Sequence, residues 1–445
     1  SYALTATDVT ETHVNFSNVI TLTGQVTYTK KPVTVSISAS DKVYDRLVSA
    51  SASASMFGVV SGDTVSLNTP YATFSDKDAG NGKTVTMSGI SISGADVANY
   101  DLQNFTAIAT ANITPKPITS SYTASNKVYD RSTSATVSGS LTGVIFGDTV
   151  TIAETSSLFS DINVGNSKTV TVSGISIGGP GSPNYSLQNN LTTTTANITP
   201  KPITALYTAF NKVYDKNSIA DVSGELSGVI SGDQVSLSNS SAFFSNKNVA
   251  NNKTVTVSGL SISGTSSLNY ALQNSTATTT ANILPKSLTA SFEASNKVYD
   301  RNTSAVVTHS INGVIDGDII SLENITANFS DKRAGNNKTV TVTSNISGAD
   351  VSNYLLSNST EFVSASISKK PLYASFEASN KVFDGTTKVE VDGSSSDVIS
   401  GDNVEFEYEN AKFIDDTIGT QKQVLVSGIS LSGIDAENYD LQNLT

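Results

Sequence analysis

Along most of this chain apolar and polar residues alternate with a period of two. Val150 and Ile152 alternate with Thr149 and Thr151, and Val170 and Val172 share one face of Lys168-Thr169-Val170-Thr171-Val172-Ser173. Gly174 interrupts this pattern, and Ile175 and Ile177 resume it in shifted phase, which predicts a β-bulge or strand bend at the glycine. Thr193 to Ile198 is rich in threonine and leads into Pro200, as a strand ending at a joint does. Turn clusters such as Gly147-Asp148, Asn166-Ser167 and Gly178-Gly179-Pro180-Gly181 fall every ten or so residues. No segment keeps the i, i+3, i+4, i+7 spacing of a helix over three turns. The pattern predicts an all-β protein, with six to eight short strands per unit of about 85 residues folded as a β-sandwich.

The unit length comes from repetition. Lys-Val-Tyr/Phe-Asp occurs five times, with its aromatic at Tyr44, Tyr129, Tyr214, Tyr299 and Phe383 and spacings of 85, 85, 85 and 84 residues. A Gly-Asp pair follows each at one offset, its aspartates Asp63, Asp148, Asp233, Asp318 and Asp402 lying 19 residues on. An Asn-Tyr pair closes each unit: Asn99-Tyr100, Asn184-Tyr185, Asn269-Tyr270, Asn353-Tyr354 and Asn438-Tyr439. This register divides the chain into repeats at 31–115, 116–200, 201–285, 286–369 and 370–445. Residues 1–30 read as the tail of a preceding, variant repeat, because Ser1-Tyr2-Ala3-Leu4 resembles the closing Asn-Tyr-x-Leu. The fifth repeat lacks a counterpart of the strand from Thr106 to Thr114.

Units meet at Pro115-Lys116-Pro117, Pro200-Lys201-Pro202, Pro285-Lys286-Ser287 and Lys369-Lys370-Pro371, with Lys30-Lys31-Pro32 before the first. Proline fixes φ and keeps its predecessor extended, so such joints are short and stiff. With strands of about ten residues rising roughly 3.3 Å each, the array is expected to be a rod on the order of 150–200 Å.

Composition adds exclusions. Hydrophobic residues are 38% of the 445, a shortfall that Ser, Thr and Asn fill and that strands and turns accommodate. The net charge of −12 argues against nucleic acid as a partner, and no apolar run is long enough to span a bilayer. The first residues show no basic region followed by an apolar one. Cysteine is absent, so each unit stands on packing and hydrogen bonds. The two histidines, His13 and His309, fall at non-equivalent places, and no nucleophile elbow or phosphate loop occurs, so catalysis and cofactors are not expected.

Of the repeated residues, the aromatic-Asp pairs (aspartates Asp45, Asp130, Asp215, Asp300 and Asp384) read as a core anchor followed by an Asp that caps its own turn. Phe383 supports this, since it dispenses with the hydroxyl. The Gly-Asp pair reads as turn chemistry, with glycine at positive φ. Calcium is the competing idea for the loops carrying Asp76, Asp78, Asp161, Asp331, Asp415 and Asp416, although the third repeat has Asn246 there and no known calcium-loop pattern fits.

The Asn-Lys-Val-Tyr-Asp segment, its Phe383-Asp384-Gly385 version, the Lys-Thr-Val-Thr-Val-Ser-Gly strand, Asn-Tyr-x-Leu and the Pro-Lys-Pro joint together resemble the YDG repeats of large bacterial surface proteins. Those are related to the MBG, "mostly bacterial Ig-like", repeats. The resemblance spans residues 31–445, and only repeat 5 has the glycine; Arg46, Arg131, Lys216 and Arg301 stand there in the others. It implies tandem Ig-like β-sandwiches forming the extracellular stalk of an adhesin at the bacterial cell surface. An Ig-type tyrosine corner is then expected for the Asn-Tyr tyrosines, each hydroxyl bonding nearby backbone. Some bacterial surface Ig-like domains also join an early lysine to a late asparagine by an isopeptide bond. Candidates here are Lys42, Lys127, Lys212, Lys297 and Lys381 with Asn99, Asn184, Asn269, Asn353 and Asn438, against the alternative of a solvent-facing lysine at a turn.

The expected partners are neighbouring repeats, other copies of the chain, and a host or matrix glycan or protein bound by a region outside these residues. Two alternatives to a stalk are a multivalent binding array, marked by exposed aromatics recurring on one face, and a filament subunit. In the filament, residues 13–30 (His13 to Lys30) of one copy complete the last repeat of another by donor-strand complementation.

Overall fold

The computed structural model describes residues 27–444 and is all-β, its only helices being single 3₁₀ turns. Residues 1–26, which include most of the tail and donor-strand segment anticipated above, lie outside the described residues. The chain divides into two compact units after Lys201.

Repeat 1 shows the plan. Its strands are β1 (Lys31–Ala39), β2 (Lys42–Val43), β3 (Ser49–Ala50), β4 (Ala52–Phe57), β5 (Ser66–Asn68), β6 (Ala72–Phe74), β7 (Gly80–Ser88), β8 (Ser91–Ser93), β9 (Tyr100–Leu102) and β10 (Thr106–Thr114). One sheet runs β4-β1-β9 and the other β2-β10-β7-β6-β3, with β5 and β8 forming a separate pair. β1 packs across onto β10, so the two sheets enclose the core. Val33 and Val35 of β1 face Val85 and Met87 of β7, Phe74 of β6 and Ile113 of β10, while the threonines and serines between them point outward. β1 with β9 and β2 with β10 pair in parallel; the other neighbours are antiparallel.

The bend expected at Gly174 is a change of sheet. Gly165–Ser173 pairs in the four-stranded sheet, and Ser176–Gly178 pairs instead with Thr151–Ala153. Gly174 has a φ of +64°, and a Cβ there would collide with the Thr155 side chain. The register shift itself lies earlier, between Gly165 and Lys168.

Within each unit one residue separates the last strand of a repeat from the first strand of the next. Thr106–Thr114 gives way at Pro115 to Lys116–Ala124, Thr276–Leu284 at Pro285 to Lys286–Ala294, and Thr360–Ser368 at Lys369 to Lys370–Leu372. Cores do not stop at these joints. Tyr44 and Ile113 of repeat 1 belong to one buried cluster with Ile118 and Tyr185 of repeat 2. Leu288 and Tyr354 of repeat 4 join the core of repeat 3, and Leu372 and Tyr439 of repeat 5 join that of repeat 4. Repeat 5 keeps a small core of its own around Val389, Val391 and Ala411.

Candidate functional site: the joints between repeats

The aromatic-Asp turn, the Gly-Asp loop and the Asn-Tyr pair look like separate scaffold features in sequence. The structure brings them together, and it does so between neighbours. At the joint of repeats 1 and 2, Tyr44 donates its hydroxyl to Asp148 Oδ2 at 2.9 Å, and Tyr185 donates to the same oxygen at 2.7 Å. The Arg46 guanidinium lies 3.3 Å from Asp148 Oδ1 and donates to the Phe146 carbonyl at 2.7 Å. The two rings meet edge to face with centroids 5.5 Å apart.

The same arrangement recurs in the second unit. Tyr214 and Tyr354 donate to Asp318 at 3.0 and 2.7 Å, with Lys216 Nζ 2.9 Å away on the other oxygen. Tyr299 and Tyr439 donate to Asp402 at 3.0 and 2.7 Å, with Arg301 Nε at 3.0 Å. Each clamp thus joins the aromatic and cation of one repeat to the aspartate and closing tyrosine of the next. The aspartate side chain is buried, at 7%, 1% and 0% exposure for Asp148, Asp318 and Asp402, and faces two hydroxyls and one cation that offset its desolvation.

Local geometry explains why these residue types are needed. The closing tyrosine accepts a backbone N–H from Val60, Ile145, Ile230, Ile315 or Ile399 at 2.9–3.1 Å. That partner lies about 40 residues upstream in the Gly-Asp loop, so the expected tyrosine corner is instead a tie between two distant segments. Gly147 has a φ of +92°, and a Cβ there would strike the Arg46 guanidinium; Gly401 stands in the same relation to Arg301. The cation itself is strained: Arg46, Lys216 and Arg301 have φ between 68° and 70°, where a side chain is disfavoured. Repeat 5 has Gly385 there, at 76°.

A second contact flanks each clamp. Asn184 Oδ1 accepts the Ala79 N–H at 2.7 Å and its Nδ2 donates to Asp78 at 3.1 Å. Asn353 and Asn438 accept the N–H groups of Val249 and Ala334, both at 2.9 Å. Of the asparagines proposed for an isopeptide bond, Asn184, Asn353 and Asn438 therefore face the preceding repeat.

The lysines proposed as their partners are held elsewhere. Lys42 Nζ donates to Asp45 at 2.8 Å and to the Leu47 and Ser49 carbonyls, and sits 5.5 Å from the Phe74 ring centre. Lys127, Lys212 and Lys297 repeat this over Phe159, Phe244 and Phe329, and Lys381 bonds Asp384. The turn aspartates Asp45, Asp130, Asp215, Asp300 and Asp384 each accept the backbone N–H two residues on. The aromatic before them is buried at Tyr44, Tyr129, Tyr214 and Tyr299, but Phe383, expected as a core anchor, is 61% exposed. The lysine is a half-buried strut of that turn and does not face solvent freely. No hydrogen bond joins Lys42, Lys127, Lys297 or Lys381 to the asparagine of its own repeat among the described residues.

The loop acids considered for calcium have lysine partners. Asp76 pairs with Lys83, Asp161 with Lys168, Asp331 with Lys338 and Asp415 with Lys422, while Asn246 accepts from Lys253. Asp78 bonds Asn184 across the joint, and Asp416 lies beside a hollow in repeat 5. Among the described residues no cluster of three or more His, Asp or Glu is placed to hold a metal.

Electrostatics follow the geometry. Burial works upward on the Asp148 carboxyl, but the hydrogen bonds from Tyr185 and Tyr44 and the charge of Arg46 outweigh it and hold it below the usual aspartate value. Asp318 behaves alike, with Tyr354, Lys216 and Tyr214 opposing burial. Burial and the neighbouring carboxylate push Tyr44, Tyr354 and Tyr439 up to about 12.

Sequence reasoning found every clamp residue except the cation and assigned each to its own repeat. The missed signal was a paired change: repeat 5 replaces the tyrosine by Phe383 and the cation by Gly385 together. Both groups reach into the following repeat, so their joint loss in one copy marks them as one device.

These features define a class: a tandem array of all-β repeats whose repeated residues lock repeat 1 to 2, 3 to 4 and 4 to 5. The YDG domain model matches residues 29–108, 114–196, 199–280, 284–361 and 368–445, and the chain belongs to the YDG domain family. Among curated proteins, none matches it.

Proposed function

We propose that this chain is a non-catalytic spacer in the stalk of a bacterial cell-surface or secreted adhesin, built from Ig-like repeats and giving reach and stiffness. One observation carries the reading: at three joints the repeated aromatic of one repeat meets the Gly-Asp aspartate and closing tyrosine of the next. A buried clamp, a flanking Asn contact and a one-residue connection restrain each of the three joints that lie within the compact units. Stiffness is then a property of the interfaces between repeats.

The binding-array alternative has less support. Large exposed aromatics include Tyr71, Phe105, Phe146 and Phe362, and equivalent positions carry Ser156, Asn190, Ser61 and Thr278. A stacking platform repeated on one face would keep the aromatic. The calcium loops and the self-assembling filament have no comparable observation behind them.

Small-angle X-ray scattering over a concentration series, with and without calcium, tests the spacer. The expected result is a rod on the order of 150–200 Å, independent of both variables, from about ten-residue strands laid end to end. A compact particle contradicts the spacer, and growth with concentration favours the filament.

A further inference from the structure

We propose that an open pocket on repeat 1 is a docking site for the Tyr-Asp-Arg/Lys turn of a further YDG repeat. The inference rests on the clamp geometry and not on the stalk role.

The pocket, about 410 Å³, is lined by Val60, Asp63, Ala98, Asn99 and Tyr100 together with Tyr28 to Lys31. These are the repeat 1 counterparts of the groups that receive the preceding repeat at the three clamps. The receiving half is assembled: Tyr100 donates to Asp63 Oδ2 at 2.5 Å and accepts the Val60 N–H at 3.0 Å. The contributed half is missing among the described residues. Asp148, Asp318 and Asp402 each take a second hydroxyl and a cation, whereas among the described residues Asp63 takes only the Tyr100 hydroxyl. Space for the cation is open. A Cβ on Gly147, Gly317 or Gly401 meets Arg46, Lys216 or Arg301, while one on Gly62, at a φ of +102°, meets nothing within 4 Å. Asn99 is exposed, whereas Asn184, Asn353 and Asn438 are 6%, 2% and 3% exposed.

The chemistry of the occupant follows from the filled copies: a phenol to share Asp63 Oδ2, and a cation two residues on to face the other oxygen. Residues 1–26 contain no aromatic-Asp pair and no lysine or arginine. A second copy does not supply it through repeat 5 either. Phe383 has no hydroxyl and Gly385 no charge. The site selects for repeats of the Tyr-Arg/Lys kind and against repeats of the Phe-Gly kind.

The test extends the whole chain by a copy of residues 31–115 placed directly before Lys31. Hydrogen exchange of the Val60–Asp63 amides and unfolding by denaturant are read with and without the added repeat. Docking is expected to slow exchange in this loop. It should also make Asp63→Ala about tenfold to a hundredfold more damaging to the folding equilibrium in the extended chain, as loss of charge-assisted hydrogen bonds implies. Tyr44→Phe with Arg46→Gly in the added copy alone, which leaves the receiving repeat untouched, should return exchange to its original rate. Unchanged exchange on extension, or equal protection by the Phe-Gly copy, overturns the proposal.

Discussion

At the scale of single residues, the aspartate of the Gly-Asp pair carries most of the consequence. Asp148 sits between two phenols and a guanidinium from two repeats, so its charge stabilises the joint only while both phenols keep their protons. The pH limits follow. The Asp148 carboxyl is depressed, so its contribution is complete above the ordinary aspartate range and is lost as pH falls through the depressed value. Tyr44 is raised from 10.0 to about 12, so its contribution is complete below 10.0 and is lost as pH rises through about 12. Spectroscopic titration of tyrosine should therefore show ionisation near 12 that includes Tyr44, Tyr354 and Tyr439. The absence of a component near 12 would contradict the clamp.

Strain at the cation makes a second residue-scale prediction. Arg301→Gly relieves a left-handed residue, worth about 1–2 kcal/mol, and removes charge-assisted bonds worth about 1.5–3 kcal/mol each. Net destabilisation is expected in denaturant unfolding. The reverse change, Gly385→Arg, places a side chain at a φ of +76° with no clamp partner in this chain and should cost about 1–2 kcal/mol. Equal and opposite effects would mean that the arginine does nothing at the joint.

At the scale of elements, period-two alternation identified the strands because one face of each sheet is buried and the other wet, as in Val170 and Val172 between threonines. Gly174 was legible as a break, but its role in moving the chain between sheets depends on partners far away in sequence. The joints were half legible. Proline and the register announced them, whereas Asp148 meets Tyr44 from 104 residues away, and no local pattern encodes such a pairing. The Gly-Asp glycine belongs here too, because it gives the loop its positive φ and leaves room for the incoming cation. Gly147→Ala is expected to displace Arg46 and lower the melting temperature by several degrees, as a loss of about 1–2 kcal/mol implies. Gly62→Ala, with open space around its Cβ, should lose only the backbone part of that effect.

At the scale of the whole molecule, clamps of one kind recur in both compact units, and the cores of repeats 1, 3 and 4 draw residues from the repeat that follows. Stability in such an array is a sum of repeat terms and neighbour terms, and the spacer reading needs the neighbour terms to be large. The most direct test is a double-mutant cycle between Tyr214→Phe in repeat 3 and Asp318→Asn in repeat 4, followed by denaturant unfolding. The clamp predicts an interaction energy of about 0.5–3 kcal/mol between the two sites, as for residues in one buried network. Strictly additive losses would mean that neighbouring repeats fold without coupling, which contradicts the account.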